Sequence, residues 1–324
     1  MLLAITHSNS IIRLESRHLT ISNDGILNGI VPLNLLSRVL LPDIMSISGA
    51  LIQALLQRHI PIILLSADGK YIGQMHYTPS GDNERKILQY KFALTGNILP
   101  AQQLLNAKLY NQKRVLQRLA TSHKTVCTAS RMLDKLQKQL HSKTSLEALR
   151  GIEGLAAKEY FHSLSGYIPN WCNFTGRRRP ATDPFNAVLS YSYAVMSGEL
   201  ENLVRLHLLE PGMGFLHQRS YNTPCLVLDL LEVFRACYCD MLVIGLFNHR
   251  QLRQEHFDYT SDNGQFRLNR TGKKIFFTAW ERKRKSSLLL EGKRTSWQEI
   301  WNRQVLIWVN FLEHSNDIKF FRMQ

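Results

Sequence analysis

The hydrophobic period of this chain changes near residue 84, and that change restricts the possible folds more than any other feature. Before it, apolar residues fall in short extended runs, Leu2 to Thr6, Ile11 to Glu15 and Leu19 to Ser22, with Asn23-Asp24-Gly25 as a turn. Ser48 then caps a helix predicted from Gly49 to about Arg58. His59-Ile60-Pro61 ends it, and Ile62 to Leu65 reads as an apolar strand before an Asp68-Gly69 turn. The polar stretch from Tyr77 to Asn83 reads as a linker. Beyond it the spacing becomes helical: from about Leu88 to Lys143, positions such as Leu104, Leu105, Lys108, Val115 and Leu119, then Met132, Leu133, Leu136 and Leu140, recur every three or four residues. The expected fold class is therefore α+β, with a small β-rich domain over 1–84 and a larger, mostly α-helical domain over 85–324.

Charge divides the chain at the same place. The net charge is +15, yet residues 1–84 hold five basic and six acidic side chains, so the whole surplus lies in 85–324. Segment 108–143 carries nine Lys or Arg against one acid, and segment 267–294 carries ten against two. One such run is an ordinary solvated surface; two on one part of a molecule favour a polyanion, with nucleic acid the first suspect and 85–324 the candidate DNA-binding body. Candidate phosphate contacts are the Arg177-Arg178-Arg179 loop and Lys273, Lys274, Arg282, Lys283, Arg284 and Lys285. Five cysteines without a CxxC pair suit a reduced compartment, so a cytoplasmic location is expected, and Cys237 and Cys239 read as small buried hydrophobes. No run approaches the roughly 18 apolar residues of a membrane span, and no basic leader opens the chain.

Against this basic background, acids inside apolar runs are the anomaly, since a buried carboxylate is costly unless paired or metal-bound. Glu153 lies in Gly151-Ile152-Glu153-Gly154-Leu155-Ala156-Ala157, at the expected start of a helix whose Ile152, Leu155, Ala156, Tyr160 and Leu164 form a packing stripe. A favourable first-turn dipole contact is its plain alternative. His217 ends Gly212-Met213-Gly214-Phe215-Leu216-His217, either as a ligand or as a hydrogen-bonded structural histidine. Asp229 and Glu232, three residues apart in Leu228-Asp229-Leu230-Leu231-Glu232-Val233-Phe234-Arg235, share a helix face, which calls for a metal ion or for an ion pair with an arginine such as Arg235. One nitrogen with two or three carboxylates suits Mg²⁺ or Mn²⁺ better than zinc.

These segments, with Asp183-Pro184-Phe185-Asn186-Ala187-Val188-Leu189-Ser190-Tyr191-Ser192-Tyr193-Ala194, stand in the order of four motifs of a known family. From about residue 2 to about residue 285 the chain resembles the CRISPR-associated endonuclease that serves as the integrase of spacer acquisition, the first-numbered of the Cas proteins. The resemblance implies that Glu153, His217 and Glu232 hold the divalent metal with Asp229 close by, either sharing the ion or orienting His217. It implies a metal-dependent DNA endonuclease and integrase that joins 3′-hydroxyl ends of short foreign DNA into a CRISPR repeat array. It further implies a homodimer built by the β-rich domain, two such dimers being bridged by a small ferredoxin-like Cas partner. Ala236 departs from the Pro that commonly follows the E-x-F-R run, and the tail after about Ser286 has no counterpart in the motifs. A structure-specific repair nuclease or a transposase built on the same site, and a non-catalytic DNA-binding scaffold, are the alternatives. Tyr191 and Tyr193 are read either as base-stacking or as packing residues.

Overall fold

The computed structural model describes the chain apart from residues 1, 6–9, 42–45, 67–70, 78–82, 121–123, 218–222, 262–263 and 316, and the side chains of 124–127. Thr6, the Asp68-Gly69 turn, most of the expected linker and the Cys127 side chain lie outside the described residues. Strands β1 (Leu2–Ala4), β2 (Ser10–Glu15), β3 (His18–Asn23), β4 (Ile26–Pro32) and β5 (Arg38–Leu41) precede helix α1 (Gly49–Leu56), followed by β6 (Ile62–Leu65) and β7 (Tyr71–Met75). Ser48 caps α1 by accepting from the Leu51 amide at 3.3 Å, and Asp24 and Gly25 turn β3 into β4 with φ of 50° and 82°.

β2, β3 and β4 form an antiparallel meander, whereas the second sheet runs β1-β5-β6-β7, with parallel pairing except between β6 and β7. β5 and β6 are buried along nearly their whole length, as strands covered on both faces must be. Val39, Leu41 and Ile62 point into a core closed by Leu51 and Leu55 of α1, while Leu40, Ile63 and Leu65 join the core of the helical part. The β-rich region is thus fused to the helices through one shared sheet. A buried Arg38–Glu199 ion pair and the Tyr71–Glu201 hydrogen bond also cross this seam.

The helical part comprises α2 (Glu84–Leu94), α3 (Leu99–Leu119), α4 (Lys124–Gln139), α5 (Leu146–Ser165), α6 (Pro184–Leu206), α7 (Cys225–Phe234) and α8 (Met241–Asn248). A hairpin of β8 (Phe257–Thr260) and β9 (Gln265–Leu268) leads to α9 (Arg270–Lys285), a hairpin of β10 (Ser287–Leu290) and β11 (Lys293–Ser296), and α10 (Trp297–His314). Residues 235–240 link α7 to α8 as a π-helical turn. α3 runs through the middle and is buried on every side from Leu104 to Leu109. The tail after Ser286 is part of this core: Asn111 of α3, fully buried, donates to the carbonyls of Val233 and Phe321 at 3.0 and 3.1 Å and accepts from the Met323 amide at 2.8 Å. Trp297, Trp301 and Trp308 of α10 are buried with it.

Candidate active site

The site is assembled around one carboxylate. Asp229, fully buried on α7, accepts from the amides of Phe215, Leu216 and His217 at 2.6, 3.0 and 3.0 Å, and from His217 Nδ1 at 2.6 Å. Phe215 and Leu216 anchor that loop in the core, and Gln89 of α2 pins its earlier part through the carbonyls of Glu210 and Met213. Gly214 is required here, because a Cβ would lie 2.5 Å from Asp229 Oδ2. An ionised carboxylate only accepts, so His217 Nδ1 carries the proton and Nε2 keeps its lone pair free for a cation. Asp229 therefore belongs behind His217, with no oxygen left over for an ion. Of the two roles expected for it, the geometry favours orientation.

Glu232, one helical turn after Asp229 on the same face of α7, stands at the other nitrogen of the imidazole, with its Oε1 3.8 Å from His217 Nε2. Glu153 reaches the same place from α5. That helix starts at Leu146 with Ser145 as its cap, so Glu153 stands mid-helix and the first-turn dipole reading does not apply. The stripe beneath it is Ile152, Ala156, Tyr160 and Leu164, as expected, but Leu155 is exposed on the opposite side.

Between the two carboxylates lies Lys108 of α3, whose ammonium is 2.5 Å from Glu153 Oε1 and 2.6 Å from Glu232 Oε2. Sequence reasoning missed this residue, although a lysine on the apolar stripe of α3 was the available signal. Burial alone would lower its pKa, but Glu232 and Glu153 hold it above its ordinary value. Burial likewise pushes the Glu232 carboxyl up, and the charges of Arg235 and Lys108 more than reverse this, to about 2. Arg235 lies 3.0 Å from Glu232 Oε1, so the ion pair weighed for that carboxylate is present.

The π-helical turn places Arg235 over the Tyr193 ring at 4.7 Å and brings buried Asp240 under Tyr193 and Tyr160, whose hydroxyls donate to it at 2.6 and 2.9 Å. Tyr191 is buried against Phe276 and Phe277. Both tyrosines of the α6 motif are thus packing residues.

Glu153, His217 and Glu232 line one cavity of about 830 Å³, and so do Arg177, Arg178 and Arg179. The Asp183-Pro184-Phe185-Asn186 motif explains how that loop is held. Asp183 caps α6 by accepting from the Asn186 amide at 2.8 Å, and Asn186 Oδ1 in turn accepts from Arg177 and from the Arg178 amide. Arg177 is half-buried along α6, and burial lowers its pKa to about 10; Arg178 and Arg179 are exposed at the mouth.

The basic run on α9 does not line this cavity. Two of its expected DNA contacts are corrected by the fold. Arg284 is buried between Glu281 and Gln298, and the Lys283 ammonium donates to the Tyr238 carbonyl at 2.7 Å beneath Trp297, where burial lowers its pKa to about 8. Both amphiphilic side chains are committed to the core side of α9. Lys274, Arg282 and Lys285 face solvent, and Lys273 is half-buried.

Among the described residues no three His, Cys, Asp or Glu side chains converge closely enough to hold an ion as placed, Lys108 standing between the carboxylates. The donor set nevertheless fits a hard divalent cation. Glu232 Oε2 is buried and makes no well-directed hydrogen bond, and the ammonium shared by Glu153 and Glu232 is itself a cation at their meeting point.

The profile of the family described as CRISPR associated protein Cas1 matches residues 3–282. A CRISPR-associated endonuclease Cas1 of Thermus thermophilus is 32% identical over 276 residues, covering 82% of this chain and 79% of that protein. Another, of Thermodesulfovibrio yellowstonii, is 29% identical over 294 residues, covering 89% and 90%. Among solved structures, a casposase bound to an integration product superposes with a TM-score of 0.87 at 20% identity, covering 98% of this chain and 92% of that one, a likeness of fold. The chain belongs to the CRISPR-associated Cas1 family.

Proposed function

We propose that this protein is a divalent-metal-dependent DNA endonuclease and integrase, joining 3′-hydroxyl ends of short foreign DNA into a CRISPR repeat array. The observation that carries the reading is the meeting of Glu153 and Glu232 on one cation position beside His217, in a cavity rimmed by Arg177, Arg178 and Arg179. Glu153, His217 and Glu232 would hold Mg²⁺ or Mn²⁺, which when bound lowers the pKa of an attacking hydroxyl and polarises a phosphoryl oxygen. The remaining work belongs to the chain. Asp229 fixes the His217 tautomer, Tyr193 and Glu232 fix Arg235 at the cavity wall, and the arginine loop gathers the phosphates of a DNA backbone.

Double-stranded DNA is the proposed substrate, with Lys273, Lys274, Arg282 and Lys285 as outlying phosphate contacts. A small ferredoxin-like Cas protein is the proposed partner, bridging two homodimers. The exposed Ile26, Leu27 and Ile30 of β4 supply an apolar surface suited to the homodimer.

The test is Glu232→Ala assayed with 3′-hydroxyl duplexes and a supercoiled repeat plasmid in Mg²⁺ or Mn²⁺. Strand transfer should fall at least ~10³-fold while DNA binding stays within about threefold of wild type, because ligand loss removes metal chemistry and spares the cationic rim. Joining at the wild-type rate contradicts the proposed ligand set.

A further inference from the structure

Lys108 raises a problem that the proposed metal site does not solve by itself. Its side chain is 5% exposed, and its ammonium touches the oxygens of two of the three proposed ligands. A dication at their meeting point would come within a few ångströms of a buried like charge. Without Lys108, however, the half-buried Glu153 and the buried Glu232 would face each other with only Arg235, on the far oxygen of Glu232, to offset their repulsion. The alternative cation, Arg235, is not free to move, since it is held between Glu232 and the Tyr193 ring.

One turn further along α3, Gln112 is 3% exposed and lines the same cavity, and its Oε1 is a buried acceptor without a hydrogen-bond partner. Residues four apart on a helix lie side by side, within reach of a lysine side chain that rotates about its own stem. An unused acceptor at that spot has no role in the arrangement described above.

We propose that Lys108 is a resident counter-cation with two positions: between Glu153 and Glu232 when no divalent ion is bound, and against Gln112 Oε1 when one is. This rests on the reading of Glu153, His217 and Glu232 as metal ligands. The exchange keeps the carboxylate pair neutralised in both states, and it leaves the ammonium inside the cavity, available to a phosphate oxygen. Divalent-ion binding then works against the Lys108 contact, so Lys108 weakens metal affinity and Gln112 restores part of it.

The experiment is a Mn²⁺ titration of the full-length protein without DNA, read by calorimetry or electron paramagnetic resonance, for wild type, K108M, Q112L and the double variant. K108M should bind Mn²⁺ about tenfold more tightly than wild type, and Q112L severalfold more weakly, with the Q112L effect vanishing once K108M is present. As a check that needs no folded variant, acetic anhydride labelling of Lys108 in the wild-type protein, read by peptide mass spectrometry, should rise on adding Mg²⁺. Unchanged or weaker Mn²⁺ affinity in K108M overturns the proposal and leaves the metal reading standing, as does Lys108 labelling indifferent to Mg²⁺. No Mn²⁺ binding by wild type and K108M alike overturns both.

Discussion

Asp229 is the residue on which the rest of the site leans, because its two oxygens satisfy three loop amides and one imidazole. Asn at this position keeps the shape but turns an amide group toward donors, leaving at least one of them unpaired. Asp229→Asn should therefore loosen His217 and reduce strand transfer about 10- to 100-fold with a matching loss of Mn²⁺ affinity, DNA binding being unaffected. Activity and affinity measured side by side check this; a full-rate variant contradicts the orienting role. At this scale much was legible in the sequence. Glu153, His217, Asp229 and Glu232 each stood out as polar groups in apolar surroundings. That Asp229 stands behind His217 was one of two roles the sequence left open, since it depends on amides of a loop that reach Asp229 only through packing by Gln89 and Phe215. Lys108 was visible as a cation on an apolar stripe, but its partners lie on α5 and α7, distant in the chain.

At the scale of elements, the π-helical turn between α7 and α8 is what carries Arg235 to the face of the Tyr193 ring and Asp240 to its hydroxyl. Burial pushes the Asp240 carboxyl up to about 6, although the hydroxyls of Tyr193 and Tyr160 pull it down. With the unfolded carboxyl near ~3.9, the folded state binds the extra proton between the two values, so this group makes stability fall as pH rises from about 4 to about 6. Asp240→Asn cannot titrate. Its unfolding free energy minus that of wild type should increase across this window, by up to about 3 kcal/mol, in urea melts at a series of pH values. A constant difference from pH 4 to 6 contradicts the buried-carboxyl account. The helix at Gly49 and the strand Ile62–Leu65 were legible because local signals agree: a serine cap, an apolar run and a Pro break. β4, β5 and β7 were not. β4 is largely exposed without strict alternation, β5 opens on an arginine whose partner is Glu199 of α6, and β7 is a half-buried run without clear alternation.

For the whole molecule, the division of charge at residue 84 was legible, and its use is more selective than the sequence suggested. Of the α9 run, Arg282 and Lys285 face solvent, while Lys283 and Arg284 hold the helix to its neighbours. Neutralising Arg282 and Lys285 together should reduce the slope of log affinity against log salt by about 2, at roughly 0.9 per phosphate contact on duplex DNA. Neutralising Lys283 and Arg284 should lower the melting temperature instead. An unchanged slope for the first pair returns α9 to an ordinary solvated surface. The tail after Ser286, silent in the sequence, is tied to α3 by Asn111, which also holds α7, through backbone groups of Phe321, Met323 and Val233 that no side-chain motif reports.

A single cation position shared by Glu153, His217 and Glu232 is the centre of the proposed site. Anomalous diffraction from crystals soaked in Mn²⁺ addresses it directly. One strong peak is expected within about 2.0–2.3 Å of both carboxylates and of His217 Nε2, with Asp229 outside the coordination sphere. A peak lying elsewhere, or none among these side chains in protein that binds Mn²⁺ in solution, would contradict it.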